Sequence, residues 1–213
     1  MPPRSALART REVESEATRR SILDAAEHLL ARGGEAGLSI RQLCARAGVT
    51  APTVYHHFGD KNALVDRVVD DCFTAFDATL ARRPAPRDPV EALRWAFDRY
   101  VEYGMRHPTH YRLMFQPRTR ARATPAGVAS YDRLRRLVAT IDAAGRLGPP
   151  VEEATRACWC VAHGVTSLLV GGYMKPTDPA IALLRDAVIA RLVPSTPAGR
   201  RLRRQRTRQG GRP

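Results

Sequence analysis

The sequence predicts an all-α protein: a small N-terminal three-helix domain containing a helix-turn-helix, followed by a larger C-terminal helical bundle. Three observations carry this. Hydrophobic residues make up 44% of the chain and aromatics only 6%, while the helix formers Ala, Leu and Arg recur throughout. Apolar residues repeat at spacings of three and four through the long segments, and no convincing strand interrupts them. Between residues 39 and 58, a short amphipathic segment, a glycine turn and a second short segment follow one another. A chain of 213 residues can bury the core that this requires.

Each element follows from local chemistry. Ile22, Leu23, Ala26, Leu29 and Leu30 define the inner face of a first helix over 16–32, and Gly33, Gly34 and Gly37 are expected to stop it. Ser39 and Gln42 fit a capping box that opens a second helix, which presents Ile40, Leu43, Cys44 and Ala47 to one side and ends at Gly48. Thr50 is placed to cap a third helix, whose early Pro52 costs little in a first turn where the N–H groups have no intrahelical partner. Gly59 ends it, and Asp60 caps a fourth helix running to about Leu80. The breaker RRPAPRDP covers 82–89, and helical patterns return over 89–106, 109–116, 126–144, 151–172 and 178–193. The expected domains are 16–62 and 63–194, with a basic, low-complexity tail at 198–213.

The formal net charge is +14, nearly all of it Arg, since Lys61 and Lys175 are the only lysines. Such a balance predicts affinity for polyanions. No window approaches the roughly 18 apolar residues of a membrane span, so a cytoplasmic protein is expected. Cys44, Cys72, Cys158 and Cys160 lack the paired spacing of a zinc finger and sit on predicted helices. They read as small buried hydrophobes.

The segment TVYHHFGDK, residues 53–61, raises the question of catalysis. Adjacent histidines point about 100° apart on a helix, and no neighbouring carboxylate is placed to orient both. A helix entering a DNA major groove explains them better: Val54 and Phe58 face inward, while Thr53, Tyr55, His56 and His57 surround the exposed part, within reach of phosphates or base edges. Ser39, Arg41, Gln42, Thr50, Pro52 and Lys61 complete the candidate DNA-contacting set. His107 and His110 are separated by Pro108, which breaks simple metal-ligand spacing. No catalytic residue, metal or cofactor is expected.

Residues 19–64, and above all VYHHFGDKNAL, resemble the TetR family of bacterial transcriptional repressors. The resemblance implies that Tyr55 contacts phosphate, that Lys61 is the lysine typical of the following helix, that His57 is mainly structural, and that His56 occupies a variable position suited to operator selectivity. HPTHYRLMF (107–115) and WCVAHGVTSLLVGG (159–172) resemble the family's C-terminal domain with its Trp-His-Gly motif, here Trp159, His163 and Gly164. An operator-binding homodimer responsive to a small molecule is what the family implies.

In the larger part, Phe97, Tyr100, Met105, Tyr111, Met114 and Phe115 fit either a helical core or an apolar effector pocket with tyrosine hydroxyls as polar handles. Trp159 and His163 share a helical side and suit either an aromatic–imidazole contact or a ligand donor. Segment 158–171 is apolar nearly all round, and the next helix offers Ile181, Leu184, Val188 and Leu192 as a seam. With Val161, Gly164, Val165 and Leu168 these form the candidate dimer interface, to which the resemblance points. The tail, with seven arginines after Gly199, is either a solvated end or a source of non-specific phosphate contacts. Two rival functions use the same features: an enzyme built on the histidines and cysteines, against which their scattered positions and missing ligand spacings speak, and an architectural protein coating DNA without sequence preference, which the tail and charge would suit.

Overall fold

The computed structural model describes residues 4–115 and 123–194; the expected tail at 198–213 lies outside the described residues. Among these, the chain forms nine helices and no strand: α1 (Arg4–Gly37), α2 (Ile40–Ala47), α3 (Ala51–Phe58), α4 (Lys61–Ala81), α5 (Pro89–Arg106), α6 (Pro108–Phe115), α7 (Pro125–Ala143), α8 (Val151–Val170) and α9 (Ala180–Leu192). The all-α expectation holds, with helix ends within a few residues of those read from the sequence. The exception is α1, which begins about three turns before residue 16. Its added segment, RSALARTREVESE, is rich in helix formers but presents no apolar face, so periodicity could not find it.

The described residues form two compact units, one of 4–75 with 109–115 and 123–127, the other of 76–108 with 128–194. The boundary between them falls within α4, and α6 lies in the first unit.

In the first unit α2 packs against α1 and α3 against α2. Ile22, Leu30, Leu38, Leu43, Val54 and Leu64 are at most 2% exposed. The Ser21 hydroxyl donates to the Ala47 carbonyl at 3.2 Å, fixing the end of α2 on α1. Gly34, at φ 60° and ψ −160°, is non-helical and interrupts α1 before its last residues, where the glycine segment was expected to stop the helix. Leu43 has no exposed surface and sits where α2 meets its neighbours. Leu43→Ala should therefore cost about 2–5 kcal/mol of stability, lowering the urea midpoint, and a loss below 1 kcal/mol would mean that α2 contributes little to the core.

In the second unit α5, α8 and α9 pack on one another. Val90, Leu93, Val138, Ile141, Ala154, Cys158, Ile189 and Leu192 form one core, and Phe97, Val101, Ala162 and Val165 another. Asp88 caps α5, accepting from Val90 and Glu91 backbone N–H groups at 2.9 and 3.0 Å, and also accepts from Arg146. Those bonds, the Arg146 contact first, hold its carboxyl below the usual range. Arg185 grips Asp98 at 2.8 and 3.0 Å and Asp186 at 3.0 Å, joining α9 to α5, and Arg94 pairs with Asp186.

The cysteines divide. Cys72 and Cys158 are buried, and burial, reinforced for Cys72 by Glu27 and Asp71, pushes both thiols up to about 12. Cys160 is exposed and Cys44 half-buried, so the expectation of four buried thiols is corrected: each lies on the outer side of a helix turn whose inner position is filled by a neighbour.

Candidate nucleic-acid interface

The α2–α3 pair sets a short row of polar side chains on a fixed base. Gly48, at φ 68°, takes the left-handed conformation that ends α2, and its N–H and that of Val49 return to the Cys44 carbonyl. A side chain at Gly48 would be strained, which keeps the turn short. Val54, 2% exposed, anchors α3 from beneath. Phe58 lies half-buried under the Arg19 guanidinium, 4.9 Å from its ring centroid, and His57 tilts against it at 6.3 Å. On the outer side, Tyr55 is 45% exposed, with Pro52 and His56 also exposed and Thr53 half-buried. Ser39, Arg41, Gln42 and Thr50 are exposed, and Lys61 is half-buried at the start of α4.

Two expected caps are corrected. Ser39 occupies the N-cap position of α2 in an extended conformation, but its hydroxyl makes no capping bond. The helix start is instead fixed by Leu38 and Leu43, which bury on either side of it, and by the Leu43 N–H to Ser39 carbonyl bond at 2.9 Å. Thr50 caps no backbone group either; its hydroxyl meets that of Thr53 at 2.9 Å. Asp60 does cap α4, accepting from Ala63 N–H at 2.7 Å.

In the same unit, His110 Nε2 on α6 and Glu27 Oε1 on α1 stand 3.1 Å apart, both half-buried. Their hydrogen bond is the largest influence on each, holding the Glu27 carboxyl below its ordinary 4.5 and the His110 imidazole above its ordinary 6.5. The protonated imidazole stabilises the fold fully below 6.5, and that contribution fades as pH rises through its raised value. The carboxylate's contribution is full above 4.5 and fades as pH falls through its lowered value. Between those ordinary values the pair is strongest. His110→Gln should therefore lower the melting temperature most at pH between about 5 and 6, by an amount equivalent to about 1 kcal/mol given the partial exposure, and hardly at all at about pH 9. A deficit independent of pH would show that packing, not charge, joins these helices.

A profile of bacterial regulatory proteins of the tetR family matches residues 22–68, the whole of α2 and α3 with the ends of their neighbours, and a tetracyclin repressor-like C-terminal domain matches 93–192. Together they cover more than half of the chain.

The chain belongs to the TetR family.

The HTH-type transcriptional repressor Rv3405c of Mycobacterium tuberculosis is 40% identical over 80 residues, a stretch covering 38% of this chain and 40% of that repressor. The chain thus matches well under half the length of these curated relatives. Among solved structures, a protein of unknown function from Rhodococcus sp. RHA1 superposes with TM-score 0.69 at 29% identity, over 83% of this chain and 95% of that one. AibR in complex with isovaleryl coenzyme A and operator DNA superposes with TM-score 0.59 at 18% identity, over 83% and 98%.

The residues expected to line a TetR effector pocket fall into two groups. In the second unit the Tyr100 hydroxyl lies 3.3 Å from His163 Nδ1, and Trp159 tilts against His163 at 5.9 Å. Phe97 is buried beside Val101, Ala162 and Val165. Burial holds the His163 imidazole below its usual range, favouring its neutral form. Sequence reasoning missed Phe76, whose ring meets Tyr100 and Tyr103 edge-on at 5.6 and 5.0 Å, and Tyr131, edge-on to Trp159 at 5.9 Å. Phe76 carried a signal, being one of the aromatic positions on the inner face of α4. Tyr111, Met114 and Phe115 belong to the first unit, where Phe115 meets Phe73 and Tyr111 at 5.7 and 5.1 Å. Met105 is 38% exposed, because Val101 and Gly104 take the inward positions of that turn.

The candidate interface residues also separate. Val165 and Leu192 are 2% and 4% exposed and belong to the chain's own core, which removes them from an outward seam. Val161, Ile181 and Val188 are half-buried at the core's edge. Gly164, Leu168 and Leu184 face outward, and so does Leu183, which the expected seam omitted. Among the described residues no group of His, Cys, Asp and Glu is arranged to hold a metal ion, and no helix is long and apolar enough to cross a membrane.

Proposed function

We propose that this TetR-family chain is a sequence-specific transcriptional regulator, a repressor that binds a near-palindromic operator as a homodimer and responds to a small, largely apolar effector. The observation that carries the reading is the outward row on α3, where Tyr55 and His56 stand exposed on a helix fixed from below by Val54. A helix so backed can enter the major groove without rearranging, with Tyr55 and Lys61 on phosphates and His56 at base edges. The net charge of +14 adds long-range attraction to DNA. On this reading 16–62 is the DNA-binding domain, 63–194 the effector-binding and dimerisation domain, and the protein works in the cytoplasm.

A two-fold dimer presents its α3 helices to half-sites about 34–36 Å apart, or a multiple of that. An effector bound more tightly by a dimer of different spacing shifts the population toward it and lowers operator affinity. AibR, captured with isovaleryl coenzyme A and operator DNA, supports the pairing of these two ligand types on this fold. Selection from random DNA tests the reading: two inverted half-sites should emerge, whereas a pool without common sequence would favour the architectural alternative.

A further inference from the structure

Arg99 on α5 is held in an unusual way. Its Nη2 donates to Glu102 Oε2 at 2.5 Å, while Glu102 Oε1 accepts from Arg106 Nη2 at 2.7 Å. One carboxylate therefore serves two guanidinium groups, and the trio keeps one uncompensated positive charge. Arg99 Nε is buried and finds no hydrogen-bond partner, alone in this respect among the buried side-chain polar atoms of the described residues. Leaving such a donor unsatisfied is unfavourable, more so on a charged group.

Geometry explains why Glu102 does not complete the pairing. The Nε and Nη2 edge of an arginine matches both oxygens of one carboxylate. Glu102, three residues along the same helix and shared with Arg106, reaches only Nη2. A carboxylate arriving from outside is under no such constraint, and the Arg99 side chain remains 25% exposed. One turn along α5, Tyr103 is buried, edge-on to Phe76 at 5.0 Å and tilted against His107 at 4.7 Å, which fixes the helix that carries Arg99.

We propose that Arg99 anchors the carboxylate of an acidic effector, which takes the Nε and Nη2 edge that Glu102 only half fills. The proposal rests on the effector-responsive reading above and narrows its chemistry. Glu102 occupies half of the fork in the free protein and yields it when the acid binds.

The test uses the full chain, with thermal shift and calorimetry on butanoate, octanoate, dodecanoate, benzoate and phenylacetate, each against its methyl ester. At least one acid should bind where its ester does not. Arg99→Met should weaken that acid about tenfold or more, the weight of one charge-assisted bond. Arg99→Lys should weaken it too, keeping the charge but losing the fork. Glu102→Gln should tighten it by releasing the fork, a gain that general destabilisation does not produce. If Arg99→Met does not fold, the other two variants decide. No acid bound, esters bound equally, or acid affinity unchanged in Arg99→Lys and Glu102→Gln would overturn the proposal. Operator binding measured on the same samples without acid separates the two claims: loss of sequence preference refutes the regulator reading, whereas intact preference with no acid bound refutes only the anchor.

Discussion

Replacing Leu184 with aspartate will give a monomer that no longer holds operator DNA at concentrations where the wild-type chain binds it. The outer faces of α8 and α9 carry Leu168 at 44% exposure, Leu183 at 68% and Leu184 at 40%, in addition to Trp159 at 37%. A single exposed leucine is ordinary, but several on two successive helices ask for a cover. Around a two-fold axis each substitution enters the interface twice, and burying each unpaired carboxylate costs several kcal/mol. Operator binding falls with it, since one α3 helix alone reads only a half-site. The variant should keep its helicity, because Leu184 lies outside the chain's own core, whereas Leu192→Asp should unfold the bundle. Sedimentation of both variants distinguishes the outcomes, and a Leu184→Asp dimer would place the contact elsewhere.

The second large effect is expected at Tyr55. Tyr55→Ala should weaken binding to every DNA sequence by about tenfold, removing a phosphate-contacting hydroxyl and the ring that carries it, without lowering the melting temperature. Its exposure of 45% leaves little packing to lose. His56→Ala should instead change which bases are preferred and leave the salt dependence nearly intact. Anisotropy titrations of both variants on operator and unrelated DNA, at two salt concentrations, separate the roles. Unchanged affinity in both would move the DNA-reading surface away from α3.

These effects were largely legible in sequence because short helices with local stop signals write their geometry into neighbouring residues. Gly48, Val54, Gly59 and Asp60 each do in the structure what their chemistry implied: a left-handed stop, a buried anchor, a helix end and a cap. The hydroxyl caps at Ser39 and Thr50 were not legible, since a capping residue type fixes the helix start without fixing its own rotamer. The polar beginning of α1 left no periodic trace. The His110–Glu27 pair joins residues 83 apart in the chain, a distance over which no local pattern speaks. In α9, apolar residues occur nearly all round the helix, so periodicity merged Leu192, which faces the core, with Leu184, which faces out. The aromatic residues posed the same difficulty: Tyr111 and Tyr100 look alike in sequence, yet belong to different units.

The measurement that bears most directly on the central claim is fluorescence anisotropy of the wild-type chain on DNA flanking its own gene, competed with unrelated DNA at low and physiological salt. The account predicts a preference for one near-palindromic segment that persists at the higher salt, with competitor affinity falling away as phosphate contacts are screened. Equal competition at both salts, repeated with segments selected from random DNA, would contradict it and leave a protein that binds DNA by charge alone.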